Sequence, residues 1–223
     1  VLWLSREAHL MDEGVPEGDV PSALQSLIGA RFSVQWTRNI GPYRKLLPAM
    51  DMFGGLIATA DDDTLYPPTW LEGLLSLHSR YPQAVCCYRA HRMLVADSGK
   101  LASYWRWPAF DLNEPSLDCF PTGKDGVLYP PGALHNDVFD VERLLLLAPA
   151  SDDIWFKVMG LRRGTPAIGM RGHGSLPVVS MPAQLQGLFA RYNLLGNDET
   201  LANVMAAYGM SPGMLKRAAP VVV

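Results

Sequence analysis

Three consecutive carboxylates, Asp61-Asp62-Asp63, follow the apolar run Ile57-Ala58-Thr59-Ala60. An apolar strand that ends in acids sets them at the carboxyl edge of a sheet, where open α/β sheets receive ligands. Carboxylates on alternate residues, 61 and 63, can converge on one hard cation. Mg²⁺ and Mn²⁺ favour oxygen ligands and commonly share them with phosphates. Three like charges side by side are unfavourable unless something positive sits among them. The alternative is a helix cap, because acids favour helix N-termini. Against it, Thr69-Trp70-Leu71-Glu72 already reads as the capping box of the following helix, and Pro67-Pro68 stands between.

A second acidic pair, Asp152-Asp153, follows Ser151 at the expected start of a helix. A carboxylate there is a candidate general base. Acids in a first helical turn also interact favourably with the helix dipole, so an ordinary helix start is the competing reading. Arg44 and Lys45 suit phosphate or a nucleobase, Arg as a bidentate fork and Lys as a point charge, or else form a solvated helix face. His173 lies in the loop Arg171-Gly172-His173-Gly174, where an imidazole can ligate Mn²⁺ or have no role. His91 and His135 read as structural, and His9 and His78 as surface residues. Trp105, Trp107 and Phe110 are either a stacking platform for a sugar or a small satellite core. Arg89 and Arg92 follow the next strand and are candidates to face phosphates.

The elements that must position these groups alternate between strand and helix, which implies an α/β layered fold. Strands are expected at Val1–Ser5, Phe32–Trp36, Leu56–Ala60, Ala84–Arg89, Ala167–Gly169 and Pro177–Val179, with His91–Ala96 continuing or pairing with the strand before it. Helices are expected at Pro21–Ile28, Tyr43–Met50, Thr69–His78, Phe139–Leu147 and Ser151–Leu161. Residues 97–135 read as irregular, and the tail from Pro182 as helical, most clearly over Asn197–Tyr208. One domain over residues 1–223 is the simplest account.

Composition limits the function classes. The chain has 223 residues, 48% of them hydrophobic and 18% charged, enough to bury a core and incompatible with disorder. Its net charge of −3 gives no basic field for nucleic acid. No apolar run reaches the roughly 18 residues of a spanning helix. The three cysteines, Cys86, Cys87 and Cys119, form neither a disulfide framework nor a zinc spacing, so a reducing, cytoplasmic setting is expected. There is no dinucleotide-binding or P-loop glycine motif and no Gly-x-Ser-x-Gly elbow.

Four blocks carry a family resemblance. They are Gly41-Pro42-Tyr43-Arg44-Lys45-Leu46-Leu47-Pro48-Ala49, Asp61-Asp62-Asp63-Thr64-Leu65-Tyr66-Pro67-Pro68-Thr69-Trp70-Leu71, Val127-Leu128-Tyr129-Pro130-Pro131-Gly132 and Ala150-Ser151-Asp152-Asp153-Ile154-Trp155. In this order they resemble GT-A glycosyltransferases, in particular bacterial family-2-like enzymes with an Asp-x-Asp motif. The resemblance implies a GT-A fold, a mostly parallel sheet sandwiched by helices. It implies transfer of a hexosyl or N-acetylhexosaminyl group from a nucleotide-diphosphate sugar, expected to be UDP-linked. The implied acceptor is a saccharide or glycolipid such as a growing surface polysaccharide, with the enzyme in the cytoplasm or at the inner face of a membrane. Asp63 and Asp61, with His173, would hold Mn²⁺ or Mg²⁺. Asp61, Asp62, Arg44 and Lys45 would bind donor. Asp153, or Asp152, would be the base of an inverting reaction. The resemblance further implies that Val1–Ser5 is the second strand of the fold, with the first strand and its helix preceding it. A metal-dependent nucleotidyltransferase and a non-catalytic carbohydrate-binding domain remain the competing readings.

Overall fold

The computed structural model describes residues 1–16, 20, 22–172, 175–179, 191–192 and 194–216. Helices and a mixed sheet make it an α/β protein. Strands β1 (Leu2–Leu4) and β2 (Val34–Trp36) pair in parallel as a two-stranded ladder. The main sheet has four strands, β3 (Ile57–Thr59), β4 (Val85–Cys87), β7 (Val127–Tyr129) and β8 (Ala167–Gly169), in the order β3-β7-β4-β8. A separate antiparallel pair joins β5 (Ala90–Arg92) to β6 (Cys119–Pro121).

The main sheet is mixed rather than, as expected, mostly parallel. β7 runs antiparallel to both of its neighbours, and only β4 and β8 pair in parallel within the main sheet. The register sets Thr59, Val127, Cys87 and Gly169 side by side. The reversed strand therefore begins where β3, β4 and β8 end. Its leading turn, Gly123–Asp125, is carried to the carboxyl edge of the sheet beside Asp61.

Helix α3 (Trp70–Arg80) follows the prolines at 67 and 68 and buries Leu74 and Leu77. Thr69 is its N-cap, but its side chain makes no capping bond, so the expected capping box does not form. The expected helix over Tyr43–Met50 is divided. A 3-10 turn, Gly41–Lys45, is followed by α2 (Leu47–Met52), with proline in the first two positions of each. Pro48 is tolerated there because the first N–H groups of a helix lack intrahelical acceptors. Helix over Pro21–Ile28 shrinks to α1 (Ser22–Gln25), and the Phe139–Leu147 segment becomes a 3-10 turn, Asn136–Phe139, followed by α4 (Val141–Leu147).

Helix α5 (Asp152–Arg163) is the central element. Residues Ile154 to Leu161 are all buried, the pattern of a helix covered on every side. It ends at Gly164, whose φ of +79° gives the left-handed cap that glycine adopts without strain. Because α5 leads back into β8, its N-terminus lies at the same sheet edge as the end of β3. Strand β5 pairs with β6 rather than with β4, and Pro177–Val179 forms a bridge through Val178 to Thr64. The helix Leu194–Ala207 covers the expected Asn197–Tyr208 segment except its last residue and packs on α5. No helix among the described residues is long and apolar enough to cross a membrane.

Candidate active site

Four segments meet at the sheet edge: the 3-10 turn Gly41–Lys45, the end of β3, the turn Gly123–Asp125 and the start of α5. Lys45 is the hub. Its Nζ lies 2.7 Å from Asp61 Oδ1 and 3.1 Å from Asp152 Oδ2. The Lys45 side chain is 20% exposed and that of Asp152 11%, so this is a shielded cluster with an opening. Asp153 receives the Gly123 N–H on Oδ1 at 2.9 Å.

The two adjacent acids have unlike surroundings. Burial and the Asp152 charge push Asp153 up to about 7, against the weaker pull of Lys45 and the Gly123 N–H. Burial also raises Asp152, with Lys45 working in the opposite direction. Burial acts to lower Lys45, but the charges of Asp152, Asp61 and Asp153 outweigh it and hold the ammonium well above its ordinary value. Tyr43, Tyr104, Tyr129 and Cys87 complete the surroundings, each raised first by burial and further by the Asp153 charge.

Tyr66 fixes the start of the acidic triplet. Its hydroxyl accepts the Asp61 N–H and donates to the Lys124 carbonyl, both at 2.9 Å. Asp62 is exposed. Asp63 accepts the Thr64 hydroxyl at 3.2 Å, and its carbonyl accepts the Val179 N–H. Asp125, fully buried, takes Lys124 Nζ at 2.9 Å on Oδ1 and faces Arg89 Nε at 3.7 Å with Oδ2.

The expected site residues therefore divide. Lys45, Asp61, Asp152 and Asp153 are gathered into one cluster. Arg44 turns away and is bound by Asp12. Arg92 is paired with Asp118 at 3.0 Å, whereas Arg89 stays near, bonded to Thr122. His173 lies outside the described residues. His135 is structural, its ring nitrogen accepting the Asp137 N–H, and His9 and His78 are half-buried rather than at the surface. Trp107 and Phe110 are buried in the core, while Trp105 is 57% exposed.

Sequence reasoning missed the contributions of Gly123, Lys124, Asp125 and Thr122. The usable signal was Pro121-Thr122-Gly123-Lys124-Asp125-Gly126, a polar, glycine-flanked turn directly before the apolar run Val127-Leu128-Tyr129.

Among the described residues, no three of His, Cys, Asp and Glu converge as a metal-binding group. Mg²⁺ and Mn²⁺ do not require one, since one or two carboxylates plus substrate phosphates suffice. Of the acidic triplet only Asp61 contacts the Lys45 cluster, while Asp62 is exposed and Asp63 bonds Thr64 and Val179, so these carboxylates supply hard oxygen donors beside the cluster rather than a preformed ligand set. Lys45 already engages one oxygen of Asp61. No protein-family model matches the chain, and a search of curated proteins finds no match.

Proposed function

We propose that this protein is a glycosyltransferase of the GT-A type. It would move a sugar from a nucleotide-diphosphate donor, UDP-linked, to a saccharide or glycolipid acceptor with inversion at the anomeric carbon. One observation carries the reading: Lys45 joins the acidic end of β3 to the acid pair of α5, within 2.7 Å of Asp61 and 3.1 Å of Asp152. A donor-side acid and a potential base thus share one cluster at the ligand-binding edge of the sheet.

In this reading Asp61 and Asp63, with Asp62 at the rim, face the donor diphosphate. They would hold Mn²⁺ or Mg²⁺, which when bound neutralises charge on the leaving diphosphate. Asp153 is the base. A carboxyl that titrates near neutrality can take the acceptor hydroxyl proton as the new glycosidic bond forms. Asp152, paired with Lys45, positions it. Arg89, at the end of β4, stands at the same edge for the donor.

The test is a screen of nucleotide-sugars against candidate acceptors, with and without EDTA. Release of nucleoside diphosphate together with glycosylated acceptor supports the proposal. Release of pyrophosphate would replace it with nucleotidyl transfer. Saccharide binding without metal-dependent nucleotide binding would replace it with a carbohydrate-binding role.

A further inference from the structure

The acid cluster is built around one cation, and a bare backbone position makes room for it. Lys45 Nζ contacts Asp61 Oδ1 and Asp152 Oδ2 together. A Cβ placed on residue 123 would lie 2.8 Å from that Nζ and 2.9 Å from Asp153 Oδ1. At these distances a side chain on residue 123 would push aside the Lys45 ammonium and the Asp153 carboxylate, both of them the ends of flexible side chains. Gly123 is not among the glycines with positive φ, so its backbone suits any residue. What the position excludes is volume. The neighbouring cation offers no substitute, since Arg44 is committed to Asp12.

We propose that Lys45 is a positioning residue shared by both halves of the site, with Gly123 kept bare so that its ammonium reaches Asp61 and Asp152 at once. The inference rests on the reading above, in which Asp61 faces the donor and Asp153 the acceptor. Without the ammonium, three carboxylates would crowd a shielded site with no counter-charge, which drives them apart or neutralises them. An anionic diphosphate entering beside Asp61 meets the same ammonium. It competes with Asp61 and Asp152 for it, so occupation of the donor half is felt at the acid pair. Coupling of this kind is reciprocal, because it is a shared free energy.

The experiment uses inorganic pyrophosphate with Mg²⁺ as the probe. Binding is followed by calorimetry, and the Asp153 carboxyl by ¹³C NMR, in the wild type and in Lys45→Met, Lys45→Arg and Gly123→Ala. In the wild type, pyrophosphate should bind and shift the Asp153 resonance. Lys45→Met should weaken binding at least tenfold (roughly, for loss of one charge-assisted contact) and abolish the shift. Lys45→Arg should restore part of both. Gly123→Ala keeps the lysine but displaces it, and should lose the shift. If Lys45→Met fails to fold, the Lys45→Arg and Gly123→Ala responses decide. Wild-type affinity in Lys45→Met, or a wild-type shift in Gly123→Ala, overturns the inference. No sugar is transferred in this experiment. Coupling without glycosyl transfer would remove the functional reading alone, and transfer without coupling would remove this inference alone.

Discussion

Asp153 Oδ1 accepts the Gly123 backbone N–H at 2.9 Å, whereas the adjacent Asp152 lies 3.1 Å from the Lys45 ammonium. Consecutive acids on one helix thus face different partners, a neutral donor and a full positive charge. Burial raises both carboxyls, while the ammonium opposes it most strongly at Asp152. Asp152 thus lies against the Lys45 ammonium, and Asp153 is pushed up to about 7.

If Asp153 is the base, kcat/KM for sugar transfer should fall on the acid side of about pH 7, as Asp153 becomes protonated. Asp153→Asn should lower kcat by about 10²–10⁴-fold, the usual contribution of general-base catalysis, while donor binding persists. Steady-state kinetics with titration of donor binding checks both. Wild-type kcat in Asp153→Asn would remove the assignment.

The same group should leave a mark on stability. Its folded value, about 7, lies above the 3.8 of a free aspartate. Between these values the folded chain holds a proton that the unfolded chain has released, so stability falls as pH rises through this window. It is flat outside the window as far as this group is concerned. Asp153→Asn should flatten that slope, whereas Asp152 and Lys45, still present, keep their own contributions. Urea unfolding at several pH values between 4 and 7.5 provides the comparison.

On the donor side, Asp63→Asn should abolish metal-dependent turnover, and EDTA should silence the wild type with recovery on Mn²⁺ or Mg²⁺. Asp61 already shares one oxygen with Lys45, so removing the Asp63 carboxylate takes away the stronger of the two proposed anionic ligands. Turnover by Asp63→Asn that still rises with added Mn²⁺ would contradict this.

The aromatic segment gives a prediction about stability alone. Trp107 is 6% exposed, packs against Phe120 and Tyr104, and donates its indole N–H to the Ala102 carbonyl at 2.9 Å. Trp107→Ala should cost about 3–5 kcal/mol. Trp105, largely exposed, meets Tyr104 edge-on, and Trp105→Ala should cost about 1 kcal/mol or less. Denaturant midpoints measured side by side would show the difference, and equal losses would mean that Trp105 too is a core residue.

Much of this arrangement was legible in the residues. The apolar run before Asp61 announced a strand ending in acids, and Ser151-Asp152-Asp153 announced a helix start, because both signals are local. The segment 97–135 was not legible. It hides β6 and β7, which are no shorter than the strands that were legible but lie among prolines, glycines and aromatics with no helical pattern on either side to frame them. Only pairing with β3 and β4 on either side makes Val127–Tyr129 a strand at the centre of the sheet. The two tryptophans differ for a similar reason. Their chemistry is the same, and burial depends on which neighbours the fold brings to each.

By itself, the sequence determined the alternation of elements, the acid triplet after β3, the acid pair opening α5 and the presence of a basic residue pair at 44 and 45. Those features depend on neighbours a few residues away. Only the tertiary structure decided that Lys45 enters the acid cluster while Arg44 leaves it for Asp12, and that Gly123 lies against the Lys45 ammonium and the Asp153 carboxylate. Those choices depend on long-range Coulomb attraction and excluded volume between segments far apart in the chain. No local pattern encodes them, because the partner that selects each side chain is delivered by a different element.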